Sequence, residues 1–142
     1  MAVRYFNEGV SFQPEGKRKI SQWLTQVAAR EGKKTGYLNF IFVSEEIILD
    51  INKKYLHHHH YTDVITFDYS AGNTISGEMY ISVDTVRANA NEYCVDFRNE
   101  LLRVMVHGVL HLCGYKDHTD SERKEMRDKE NRMLNLFYET IT

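Results

Sequence analysis

The hydrophobic positions of this chain fall into alternating short runs and helical stripes. Val3, Tyr5 and Phe6, followed by Val10 and Phe12, predict a short strand and then an extended segment. Beyond Pro14, residues Ile20, Trp23, Leu24, Val27 and Ala28 recur at helical spacing, and Gly32 is placed to end that helix. The run from Tyr37 to Val43 is aromatic and β-branched and too short for a typical helix, so it reads as a largely buried strand. Ser44 then offers an N-cap, Glu45 and Glu46 suit a first helical turn, and Ile47, Ile48, Ile51 and Tyr55 carry a second stripe ending near Leu56.

After His57–His60, the segments DVITFDY and GEMYISV flank the turn signal SAGN and predict a hairpin. Asp84 is a candidate cap for a third helix through about Tyr93. Phe97 precedes a fourth helix, starting near Arg98, with Leu101, Leu102, Val104, Met105, Val106, Val109, Leu110 and Leu112. Apolar residues on nearly every side make that helix central, and Gly114 is expected to end it. Thr119 and Glu122 form a capping-box pattern for a last helix with Met126, Met133, Leu134 and Phe137 facing inward.

At 142 residues, with no internal repeat and no linker-like stretch, the chain reads as a single domain, 1–142. The 42% hydrophobic content supports a core despite a mean hydropathy of -0.49. No apolar run reaches the roughly 20 residues a membrane helix needs, and the start lacks a signal-peptide core. Cys94 and Cys113 form no C-x-x-C pair and are too few for a disulfide framework, which points to a reduced, cytoplasmic setting without membrane attachment. A formal charge of -2 supplies no global attraction for a polyanion, so nucleic-acid binding requires local basic groups.

Within the fourth helix His107 and His111 are four residues apart and project one turn apart from nearly the same angle. Gly114 permits a chain reversal that carries His118 back over the helix end as a third ligand. Three imidazoles suit one zinc ion (Zn2+) or a zinc-type ion better than magnesium or calcium, and leave a coordination position open for water. The bland alternative is two core histidines and a surface one, an arrangement that this spacing around a glycine turn disfavours. The zinc-protease pattern H-E-x-x-H has its base directly after the first histidine, where this chain has Gly108, so a metallopeptidase becomes a minority reading.

Glu100, on the same helical face as His107, and Asp117, beside the third ligand, are candidates to orient a histidine or to replace that base, unless they are simply solvated. Arg87, Arg98 and Arg103 flank the histidines and are candidate phosphate contacts; Lys17, Arg18 and Lys19 are less specific. His57–His60 read as a native loop with incidental metal affinity, and Cys113 as a small core residue pointing away from the histidine face.

The segments HGVLHLCGYKDH, YTDVITFDY and GEMYIS, in this order and approximate spacing, resemble the YbeY family of bacterial rRNA maturation factors from end to end. The resemblance implies an α+β fold, a small mixed β-sheet packed with helices and carrying a zincin-like metal-site helix. It implies a zinc ion on His107, His111 and His118, and single-strand-specific metal-dependent endoribonuclease activity in small-subunit rRNA 3′-end maturation and ribosome quality control. The implied partners are rRNA, the small ribosomal subunit, a small-subunit ribosomal protein and a ribosome-associated GTPase. Two positions depart from the family pattern. Lys116 lengthens the second histidine gap by one residue, so the turn must bulge, and Leu56 stands where the family has an arginine suited to a phosphate. Those departures and the missing base keep open a second reading, a non-catalytic ribosome assembly factor with the ion as a clamp.

Overall fold

The computed structural model describes residues 2–55 and 62–139, which form a four-stranded sheet and five helices in a mixed α+β arrangement. Leu56 and His57–His60, on which the arginine comparison and the loop reading rest, lie outside the described residues.

In chain order the elements are β1 (Val3–Glu8), α1 (Lys17–Arg30), β2 (Lys34–Val43), α2 (Glu45–Tyr55), β3 (Val64–Asp68), β4 (Thr74–Ser82), α3 (Val83–Glu92), α4 (Phe97–Leu112) and α5 (Asp120–Glu139). The sheet order is β1-β2-β4-β3, with β1 and β4 parallel to β2 and β3 antiparallel to β4. The expected hairpin is therefore present, closed at Ala71 and Thr74 by reciprocal main-chain bonds of 3.0 and 3.1 Å.

Local chemistry accounts for most boundaries. Ser44 Oγ accepts from Ile47 N at 3.4 Å at the start of α2. Thr119 and Glu122 form the reciprocal capping box of α5, at 3.1 and 2.9 Å. The cap of α3 is a correction: Ser82, not Asp84, accepts from Thr85 N at 3.3 Å, because the helix begins at Val83 and leaves Asp84 inside the first turn. The α2 stripe packs on the second sheet face: Ile48 and Asn52 are buried, Ile47 and Ile51 pack against that core, and Tyr55, 64% exposed, meets the Phe67 ring edge-on at 5.8 Å.

One face of the sheet, with Leu38, Phe40, Phe42, Met79 and Ile81, packs with α1, α4 and α5 into the main core. The other face carries Ile41, Val43 and Ile65, joined by Ile48 of α2. Trp23 fixes α1 to α5: its ring meets Phe137 edge-on at 5.0 Å, and its Nε1 donates to Met133 O at 2.7 Å.

The seating of α4 depends on two missing side chains. A Cβ on Gly108 would come within 2.9 Å of Met79 Sδ, and a Cβ on Gly77 would come within 2.7 Å of Phe67 O and 2.9 Å of Leu112 Cδ2. Gly108 thus faces the sheet, and Gly77 receives the last turn of the helix. Because the Gly77 neighbour is main chain, which cannot swing aside, Gly77→Ala is expected to destabilise the protein by about 1–3 kcal/mol. Urea denaturation measures this, and an unchanged midpoint would contradict the close approach.

Candidate metal centre

With its sheet side filled, α4 turns His107 and His111 toward the partly exposed side, where both are only half-buried. Their rings lie nearly parallel, 7° apart in plane with centroids 6.3 Å apart. Each ring is held through the same atom. His107 Nδ1 donates to Glu130 Oε2 at 2.7 Å, and His111 Nδ1 donates to Tyr115 O at 3.0 Å, since neither oxygen of these acceptor groups carries a proton to give. Nε2 is then the atom each ring offers to an ion, the arrangement usual for zinc-bound histidines, and the two imidazoles fit a zinc-type ion on that ground.

The Tyr115 carbonyl is itself positioned. Gly114, at φ +111°, turns the chain back after the C-cap Cys113, and Tyr115 N bonds Leu110 O at 3.1 Å. The Tyr115 hydroxyl donates to Glu31 Oε1 at 2.8 Å, while Lys129 reaches Glu31 Oε2 at 3.0 Å. Glu31, the C-cap residue of α1, and Lys129 of α5 thereby hold the residue whose carbonyl orients His111.

Asp117 lies close to His107, with Oδ2 3.4 Å from Nε2. His118 is exposed, and its main chain is the part that is anchored: its N–H bonds Glu122 Oε1 at 3.1 Å and its carbonyl accepts from Arg123 at 2.9 Å. Among the described residues, no three of His, Cys, Asp and Glu stand grouped so as to hold an ion. The structure brings His107, His111 and Asp117 to one end of α4 but does not gather His118 with the other two imidazoles.

A cleft of about 330 Å³ opens beside His107. Its walls include the carboxylates Asp63, Glu100, Asp117 and Glu130 and the guanidinium groups of Arg103, Arg123 and Arg127. Burial alone would depress the His107 pKa, but the hydrogen bond and charge of Glu130, with the charges of Asp117 and Asp63, outweigh it and hold the imidazole above its ordinary value. Burial raises the Asp63 and Glu100 carboxyls above the usual range. Cys113 is pushed up to about 11 by burial, in keeping with a small residue packed against the core.

Of the arginines singled out in the sequence, only Arg103 lines the cleft. Arg98 is nine residues before His107, half a turn around α4, and donates to Glu15 O at 2.9 Å. Arg87 is on α3 with its guanidinium 4.4 Å from the Phe97 ring centroid. Arg123 and Arg127 were not apparent because α5 reads as an ordinary charged helix. Glu130 carried a signal: it occupies the apolar stripe of α5 between Met126 and Leu134, where an acid needs a partner.

The family profile described as Endoribonuclease YbeY matches residues 5–138. The chain belongs to the YbeY family. Among its relatives, a YbeY protein of Parabacteroides distasonis, named Endoribonuclease YbeY, is 47% identical over 139 residues, covering 98% of each chain. One of the same name from Flavobacterium psychrophilum is 45% identical, covering 94% of this chain and 95% of its own. The solution structure of TM1509 from Thermotoga maritima superposes with a TM-score of 0.69 at 30% identity, over 97% of this chain and 90% of that one.

Glu100, 6% exposed at the base of the cleft, allows a pH test of this YbeY-family site. A carboxyl whose folded pKa is raised contributes stability that is present below its unfolded pKa and lost as pH rises through the folded value. Metal-free Glu100→Gln is therefore expected to exceed wild type in denaturation midpoint at about pH 8, with the gap closing near pH 4. A gap of the same size at both pH values would show that the charge of Glu100 is not penalised.

Proposed function

We propose that the protein is a zinc-dependent endoribonuclease that cleaves single-stranded RNA, holding its ion on His107, His111 and His118. Membership of a family whose relatives are named Endoribonuclease YbeY supports hydrolysis of RNA phosphodiester bonds. The observation that carries the metal reading is the pair of α4 imidazoles with both Nδ1 atoms committed, which makes Nε2 the atom each ring offers, that of His107 with the Asp117 carboxylate 3.4 Å away. His118, on the anchored turn after Gly114, is the third ligand in this reading.

A zinc-type ion held by these histidines would supply Lewis acidity toward a phosphate oxygen and toward the attacking water. The remaining work falls to side chains. Arg103 and Arg127, on the cleft wall, offset the negative charge that builds on the phosphate. Gly108 cannot serve as base and faces Met79 and Thr66 rather than the cleft, so even an acid at that position would be directed into the sheet. Proton transfer then belongs to the cleft carboxylates. Asp63 and Glu100, whose protonated forms are favoured by burial, suit exchange nearer neutral pH than an ordinary acid. The same orientation of Gly108 argues against a peptidase.

The physiological substrate in this reading is small-subunit rRNA during 3′-end maturation and quality control in the cytoplasm, with a small-subunit ribosomal protein and a ribosome-associated GTPase as partners. Among the described residues no helix is long and apolar enough to cross a membrane. The alternative of a non-catalytic assembly factor with the ion as a clamp calls for a closed four-ligand site. The open cleft beside His107 favours catalysis.

Metal analysis of the untreated protein, paired with cleavage of a single-stranded RNA, tests the proposal. Near-stoichiometric zinc and cleavage are expected in wild type, and both are expected to be lost in folded His111→Ala. Cleavage that survives removal of His107 and His111 would overturn the metal-dependent mechanism; zinc without metal-dependent cleavage would favour the assembly factor.

A further inference from the structure

Glu130 is 5% exposed and sits on the inward face of α5 with Met126, Met133, Leu134 and Phe137. A carboxylate buried there is tolerated only if its charge and both its oxygens are met. Both are met by side chains of α4. Oε2 accepts from His107 Nδ1 at 2.7 Å and Oε1 accepts from Arg103 Nη1 at 2.9 Å. Arg103 and His107 are four residues apart on α4, so a single carboxylate spans one helical turn. The next residue completes the bracket, as Arg103 Nη2 donates to Asn131 Oδ1 at 2.7 Å.

We propose that Glu130 is a positioning residue that couples the two halves of the site: it sets the tautomer of the ion-binding imidazole and the plane of the phosphate-binding guanidinium. The inference rests on the metal and RNA reading above for the roles of His107 and Arg103, and adds the residue that ties them together. A carboxylate can accept from both neighbours at once. The isosteric amide of glutamine has one acceptor oxygen and one donor nitrogen, so it can satisfy only one of them unchanged. The permanently charged Arg103 retains the oxygen, and the NH2 group then faces His107 Nδ1. That nitrogen becomes the acceptor, the ring proton moves to Nε2, and the atom that would bind the ion is blocked. Asn131 Oδ1 bonds Arg103, and among the described residues no hydrogen bond joins Asn131 to His107, so its removal separates the two effects.

The test uses Glu130→Gln and Asn131→Ala in the full chain. Imidazole nitrogen NMR at alkaline pH, where the ring is neutral, reads the tautomer in metal-free protein. A competition titration reads zinc affinity, and RNA cleavage separates KM from kcat. Wild type is expected to show His107 protonated at Nδ1. Folded Glu130→Gln is expected to show it protonated at Nε2, with zinc affinity lowered roughly 10- to 100-fold. Asn131→Ala is expected to raise KM for RNA while leaving the tautomer and zinc affinity as in wild type. An Nε2-protonated His107 in wild type would overturn the proposal even if Glu130→Gln failed to fold. So would a folded Glu130→Gln with the wild-type tautomer and zinc affinity. If wild type bound no zinc, the metal reading would fall, and the tautomers alone would decide the role of Glu130.

Discussion

The close approach of α4 to the sheet sets the rotation of that helix about its own axis, and every functional side chain on it inherits its direction from that rotation. Gly108 on the helix and Gly77 on the strand leave room where a Cβ would collide with Met79 or with the Phe67 carbonyl. Leu101, Leu102, Val104, Met105, Val106, Val109 and Leu110 then fill the interior. The remaining angular sector holds Glu100, Arg103, His107 and His111, the first three of which line the cleft. A helix rotated by one residue, about 100°, would bury the imidazoles and expose leucine.

The second constraint is electrostatic. Charged groups taken out of water are costly unless paired, and the site pairs them across elements rather than along one helix. Glu130 of α5 meets His107 and Arg103 of α4, while Glu31 at the end of α1 meets Tyr115 and Lys129. Arg123 fixes the carbonyls of Asp117 and His118. These contacts tie the turn after α4 to the two helices that flank it. They also leave carboxylates and guanidinium groups facing one cleft, a mixture suited to a cation and a phosphate together.

Much of the architecture was legible because it is written in periodicity and capping chemistry. The stripe from Ile20 to Ala28, the strand around Phe40, the hairpin and the Thr119–Glu122 capping box all follow from local pattern, and all are present. The errors were also local. Ser82 rather than Asp84 caps α3, since neighbouring residues compete for one N–H and tertiary packing selects the start of the helix. Arg98 was paired with the site by nearness in sequence, although nine residues on a helix put it on the opposite face.

The sequence by itself determined the order and type of the elements, the family, and the placing of His107 and His111 on one helical face, because each is a property of near neighbours along the chain. Only the tertiary structure decided which groups face those imidazoles. Glu130 lies 23 residues beyond His107 and Glu31 lies 84 before Tyr115, separations at which no periodicity carries information. Their meeting depends on how α1, α4 and α5 pack around one sheet, and it was packing that turned a glutamate in an apolar stripe into the group that orients a histidine.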